Sequence, residues 1–225
     1  MLYSLIRHFF RHVFRNTIRV RLHIGGGSGE GGYILACTHA SHLDPFCASV
    51  LLPRKIHWMA RVEFYRFWWT SMLLRAVGAF PVNRQGVPVS AVKTAIRLVN
   101  SGEVVGIFPE GEIKRDADSV LRGGKIKRGV CLVAQRTGRP VVPCLVLGSE
   151  SLLRAGAWTP SKPCRLWVMC GEPLYLPAAE NRREARRIMA EELEEAFRAL
   201  HRRMREHSLK GSGSHAKTPR REAAR

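Results

Sequence analysis

The sequence predicts an α/β fold: a mostly parallel sheet flanked by helices, with an N-terminal amphipathic helix and a C-terminal helix. Two observations carry this. Short apolar runs such as YILAC, VVGIF and VVPCLV alternate with segments of helical periodicity across residues 33–208, the order expected of βαβ units. Polar clusters follow three of the runs at once, at His39–Asp44, Asn83–Arg84 and Glu110–Lys114. In open α/β sheets, ligands bind at that carboxyl edge.

Residues 1–22 read as an amphipathic helix. At about 100° per residue, Leu2, Leu5, Ile6, Phe9, Phe10, Val13 and Phe14 fall on one half of the wheel. Arg7, His8, Arg11, His12, Arg15 and Arg19 fall on the other, and only Ile18 strays. This pattern suits a helix lying in a membrane interface, or one docking on its own core. Residues 23–32, GGGSGEGG among them, read as a flexible linker. Gly27, Gly29 and Gly32 have dinucleotide-fingerprint spacing, but they precede a strand instead of opening a helix.

The domain proper, 33–208, opens with the strand YILAC. DPFCASVLLP follows as a helix, with Asp44 near its N-cap and Pro45 at its first position. KIHWMAR alternates as a strand; EFYRFWWTSMLLRAVG reads as a helix stopped by Gly78. AFPV is extended, and SAVKTAIRLVNSG is a helix capped by Ser90 and closed by Gly102. EVVGIF is a strand ended by Pro109, GVCLVAQRTG a helix, and PVVPCLVLG and CRLWVMC are strands. A charged C-terminal helix docks through Ile188, Leu193, Phe197 and Leu200, and residues 209–225 form a disordered basic tail.

The 225 residues are enough for one substantial core. A net charge of +19 points to an anionic partner. Cys37, Cys47, Cys131, Cys144, Cys164 and Cys170 show no C-x-x-C pairing and sit mostly in apolar runs. They read as buried thiols of a protein facing a reducing compartment. No apolar stretch approaches the ~18 residues of a spanning helix. Arginines 7, 11, 15 and 19 also interrupt any signal-peptide core. The expectation is therefore a chain that neither spans a membrane nor is exported.

Three readings compete for His39 to Asp44. A metal site would need Cys37, His39, His42 and Asp44 to converge, although Cys37 belongs to the strand and no second ligand pair follows. A helix cap would use Asp44 but leave His39 unexplained. The third reading is a base and its orienter, a carboxylate holding the imidazole in one tautomer. That resembles a hydrolase triad without its serine, and no G-x-S-x-G elbow is present to supply one. The nucleophile would then be an alcohol of the substrate.

Four blocks stand in order: His39-x4-Asp44 with Ser41 inside it, GAFPVNR, FPEGE and VVPCLV. Together they resemble the glycerolipid acyltransferases of the lysophosphatidate acyltransferase type. The resemblance implies transfer of an acyl chain from acyl-CoA or acyl-carrier protein to the hydroxyl of 1-acylglycerol 3-phosphate, with no cofactor. It implies His39 as base, Asp44 as its partner and Arg84 as ligand of the acceptor phosphate. Glu110 and Gly111 would shape the acceptor and oxyanion region, with Ser41 inside the first block and Lys127 in the KRGV stretch beyond the third. Arg84 has the planar fork a phosphate needs, and Gly111 permits close approach of substrate to backbone.

Two departures from the family pattern stand out. Thr38 occupies a position where Asn is usual. Glu112, Ile113 and Lys114 replace Thr-Arg-Ser, leaving Lys114 or Arg115 to stand in for a phosphate-binding arginine. The same chemistry on another lysolipid, or on a non-phosphorylated alcohol, is the alternative. The charge alone would also suit a nucleic-acid binder, but that needs aromatics interleaved with basic patches. Here Phe64, Tyr65, Phe67, Trp68 and Trp69 form one block, so no nucleic-acid partner is expected. The expected partners are the acyl donor, a lysophospholipid and an anionic membrane surface. The expected location is the cytoplasmic face of the cell membrane, as a peripheral or monotopic protein.

Overall fold

The structure, a computed structural model, describes residue 8 and residues 18–24, 31–76, 78–83, 89–114, 118–149 and 164–212. Their strands are β1 Ile18–Ile24, β2 Tyr33–Cys37, β3 Ile56–Arg61, β4 Phe80–Val82, β5 Val104–Ile107, β6 Val141–Leu147 and β7 Cys164–Cys170. The helices are α1 Asp44–Leu51, α2 Trp68–Ala76, α3 Val89–Asn100, α4 Gly129–Thr137 and α5 Arg182–Ser212. One seven-stranded sheet runs in the order β1-β7-β6-β2-β5-β3-β4. Every pairing is parallel except β6 with β7. The mostly parallel α/β sheet with a C-terminal helix is as expected.

β2 lies at the centre and is buried throughout. Tyr33, Leu35 and Cys37 enter one core with Ala48 of α1 and Trp58 of β3. Ile34 and Ala36 enter the other, with Ala95 of α3, Val130 of α4 and Phe197 of α5. A central parallel strand is covered on both faces, so its sequence is an unbroken apolar run. Cys37, Cys47, Cys131, Cys144 and Cys170 are buried and form no disulfide, and burial pushes the Cys131 thiol up to about 11. They fill the core as small apolar groups.

Several boundaries differ from expectation. Residues 18–22, assigned above to the first helix, belong to β1, which pairs with β7 from Ile18 opposite Cys164 to Ile24 opposite Cys170. The reason is legible: Ile18, Val20, Leu22 and Ile24 alternate with Arg19, Arg21 and His23, a period of two in which the stray Ile18 is in register. Of the rest of that predicted helix only His8 is described, and it is helical. The linker expected at 23–32 loses His23 and Ile24 to β1, and residues 25–30 lie outside the described ones.

Gly32 is not linker-like at all. A Cβ there would meet the Val99 carbonyl oxygen at 1.9 Å. Gly32→Ala is expected to cost about 3 kcal/mol, the upper range of overpacking, read as a lower denaturant midpoint at constant slope. An unchanged midpoint would mean that the turn has room to spare.

The single helix expected at 63–78 is instead a 3₁₀ turn, Val62–Tyr65, followed by α2. Ser90 lies inside α3, which already includes Val89, so it is not the cap. On α5, Leu193, Phe197 and Leu200 are buried as expected, but Ile188 is only half-buried and Met189 takes its place. The inward stripe runs Ala185, Met189, Leu193, Phe197, at four-residue steps. Residues 209–212, expected in the tail, extend α5, and 213–225 lie outside the described residues. Among the described residues no helix is long and apolar enough to cross a membrane.

Candidate active site

β2, β5, β3 and β4 are mutually parallel, so the polar segments that follow them leave one edge of the sheet. β6 is parallel to β2 as well, and it brings Gly148 and Ser149 to the same edge. The site grows from the turn between β2 and α1. Thr38 directly follows β2 and ties it to β6: its hydroxyl donates to the Val146 carbonyl at 3.2 Å and accepts from the Val146 N–H at 3.0 Å. A side chain thus continues the ladder one step beyond the strand.

Asp44 is fully buried at the start of α1, and it does not cap that helix. Leu43 is the N-cap residue. The carboxylate folds back over the turn, and Oδ2 accepts from the Ala40 and Ser41 N–H groups, each at 2.8 Å. The Asp44 N–H donates to the Ser41 carbonyl at 3.1 Å, and Ser41 Oγ accepts from the Leu43 N–H at 3.2 Å. The remaining contact of Oδ2 is His39 Nδ1, at 3.1 Å. Oδ1 accepts from the Ser149 hydroxyl. Four donors converge on the carboxylate, three of them on Oδ2. The five-residue spacing is therefore the reach of a carboxylate that closes a tight turn and holds an imidazole in the same act.

With Nδ1 engaged, the ring's other nitrogen, Nε2, makes no hydrogen bond among the described residues. The His39 side chain is 12% exposed, enough for a substrate atom to reach it. Its plane is set by stacking: Phe108 lies on it with centroids 4.0 Å apart, and Trp58 lies on Phe108 at 4.9 Å. Room for Trp58 comes from Gly106, its partner in the β3–β5 register, where a Cβ would approach the indole to 2.4 Å. His42 is exposed, its ring 6.5 Å from that of His39.

The third block reaches the same turn. Buried Glu110 accepts from the His39 N–H through Oε2 at 3.0 Å, and through Oε1 from the Val120 N–H at 2.9 Å and the Ser119 hydroxyl at 3.3 Å. It is a strut between the His39 turn and the 118–122 segment. Gly111 follows with φ of +81°, a conformation that favours glycine. The Lys127 side chain crosses it so closely that a Cβ would meet Nζ at 2.6 Å. Lys127 is exposed and has no ion-pair partner among the described residues. Lys114 differs: its N–H donates to the His39 carbonyl at 3.3 Å, while its ammonium is held by Glu112 at 2.8 Å, which pushes its pKa up. Arg84 and Arg115 lie outside the described residues. β4, which leads to Arg84, stands three places from β2.

The structure thus gathers His39, Ser41, Asp44, Glu110, Gly111 and Lys127, with Lys114 present through its backbone. Sequence reading missed Ser149, Phe108, Trp58 and the tie that Thr38 makes to β6. Ser149 stands three residues past the fourth block, the one available cue. The metal reading finds no support in the donor geometry: the Cys37 thiol is in the core beside Cys144, and no three metal-binding side chains converge among the described residues.

A base with one nitrogen held and the other open, set in a parallel α/β sheet, suits an enzyme whose nucleophile arrives on the substrate. Among the described residues the buried hydroxyls nearby are engaged elsewhere, Thr38 with β6 and Ser41 and Ser149 within the turn, so none is poised against Nε2. The comparisons with known proteins agree. The profile of the Acyltransferase family matches residues 12–147. The chain is 33% identical over 173 residues to the 1-acyl-sn-glycerol-3-phosphate acyltransferase of Bacillus subtilis, covering 71% of this chain and 80% of that one. Against the enzyme of the same name from Borreliella burgdorferi, identity is 29% over 132 residues, with 54% and 48% covered. The crystal structure of the 1-acyl-sn-glycerophosphate (LPA) acyltransferase PlsC from Thermotoga maritima has the same fold. Its TM-score is 0.64 at 20% identity, covering 88% of this chain and 79% of that one. This chain belongs to the Acyltransferase family, and it is an acyltransferase.

Proposed function

We propose that this enzyme transfers a fatty acyl chain from acyl-CoA or acyl-carrier protein to the free hydroxyl of 1-acylglycerol 3-phosphate, giving phosphatidate for phospholipid synthesis. The observation that carries the reading is His39, held at Nδ1 by a buried carboxylate and open at Nε2. Nε2 takes the hydroxyl proton as the alkoxide oxygen bonds to the thioester carbonyl carbon. The resulting tetrahedral centre collapses, the C–S bond breaks, and the thiolate leaves with the proton that His39 took. Asp44 steadies the imidazolium in between.

The acceptor assignment is supported by the names of the relatives and by an exposed lysine at Gly111. Lys127 and, after β4, Arg84 would hold the phosphate. Arg84→Ala is expected to raise KM for a phosphorylated lysolipid about ten- to a hundredfold, the worth of one charge-assisted hydrogen bond. KM for the acyl donor should hardly move; equal effects on both would make Arg84 structural. Incubating the purified protein with labelled donors and a panel of lysolipids, then weighing the products by mass spectrometry, decides the acceptor. Turnover only of a non-phosphorylated lysolipid would replace the acceptor while leaving the chemistry. A peripheral or monotopic position on the cytoplasmic face of the cell membrane follows from a lipid acceptor, and a net charge of +19 supports it.

A further inference from the structure

The aromatic block of the sequence lies on the surface. Val62, Phe64, Phe67, Trp68, Trp69 and Met72 are all exposed, Trp68 to 77% and Phe67 to 62%. On α2, Leu74 is turned to the core, while Trp68, Trp69 and Met72 lie on the outer side, one turn apart, where a soluble helix carries polar groups. The rings of Phe67 and Trp69 stand 6.4 Å apart, so the side chains form a ridge and not scattered points. Clustered exposure of this kind marks an interaction site.

We propose that residues 62–72 dock the enzyme on an anionic lipid bilayer and hold the mouth of the active site against it. This rests on the reading that the acceptor is a lipid. Two observations favour a bilayer as the occupant. The first is composition and charge: the ridge carries two tryptophans, whose rings suit the headgroup level, and exposed Arg66 and Arg75 flank it, while Arg61 is paired with Glu63, on a chain of net charge +19. Basic groups beside an apolar wedge match an anionic surface. The second is position. Val62 directly follows Arg61, the last residue of β3, and β3 is parallel to its neighbour β5, which ends at Ile107, just before Phe108 and Glu110. The ridge therefore rises from the same sheet edge as the His39 turn. A lipid whose tail remains in the bilayer could then present its hydroxyl to Nε2.

The test uses the full chain and vesicles of phosphatidylcholine mixed with phosphatidylglycerol. Trp68→Ser with Trp69→Ser should weaken vesicle partition about tenfold or more, with far-UV circular dichroism unchanged. Trp68→Phe with Trp69→Phe should keep partition but lose most of the tryptophan quenching that brominated lipids cause in the wild type. Should the serine variant fail to fold, the phenylalanine variant decides. Unchanged partition of a folded serine variant, or quenching that survives in the phenylalanine variant, overturns the proposal. So does a wild-type dimer, seen by sedimentation without lipid, that the serine variant dissolves while partition persists: the ridge would then be a contact between copies. Partition needs neither acyl donor nor acceptor, so it stands apart from failure of the proposed reaction. If partition behaves as stated and no lysophosphatidate is acylated, only the acceptor assignment falls.

Discussion

His39→Ala is expected to lower acyl transfer by about 10²–10⁴-fold, the usual worth of general-base catalysis, with the fold intact. The imidazole is partly exposed and, among the described residues, stacks on Phe108 alone, so its loss opens little of the core. Near-normal turnover would dismiss the base. Asp44 separates two roles that are usually confounded. In Asp44→Asn the amide oxygen can keep the three bonds of Oδ2, to His39 and to the N–H groups of Ala40 and Ser41. The amide NH₂ then faces the Ser149 hydroxyl, which can turn to accept. The turn survives, but the charge that steadies the imidazolium is gone. Turnover should fall by about as much as for His39→Ala, with only a small loss of stability. Asp44→Ala removes the acceptor as well and should also destabilise, because buried N–H groups left unpaired cost about 1–3 kcal/mol each. Equal stability of the Asn and Ala variants would mean that the carboxylate does not organise the turn.

Glu110→Ala should destabilise by about 3 kcal/mol or more, because it orphans the N–H groups of His39 and Val120 together. For a chain of this size that corresponds to about 6–12 °C in Tm. Glu110→Gln should rescue little. The two N–H donors meet different carboxylate oxygens, so an amide must turn its NH₂ toward one of them. Only a carboxylate bridges both. Activity should fall through kcat, since the His39 turn loses its anchor. If instead KM for the acceptor rises while Tm stays put, Glu110 touches substrate, as the family resemblance implies, and is not a strut.

The order of strands and helices was readable without coordinates because each element announces itself over a few neighbouring residues. YILAC, the β5 run and the α5 stripe needed only local periodicity. So did the pairing of His39 with Asp44, since a five-residue turn is itself local. One misreading came where two periods overlap. Within residues 18–22 only Arg19 and Val20 keep the helical pattern, whereas the whole segment Ile18–Ile24 alternates with arginine and histidine. The open flank of β7 decides in favour of the strand.

What the sequence determined by itself was the chemistry: an imidazole, a carboxylate at fixed spacing, and no hydrolase elbow to provide a serine. Tertiary structure alone decided which groups serve that chemistry from a distance. Ser149 lies 105 residues from Asp44, and Glu110 lies 71 from His39; they meet because parallel β2, β5 and β6 discharge their loops at one edge. The same holds for the aromatic block, whose composition suits a core as well as a surface. Its exposure depends on what packs over the turn after β3, and no local pattern in the sequence encodes that.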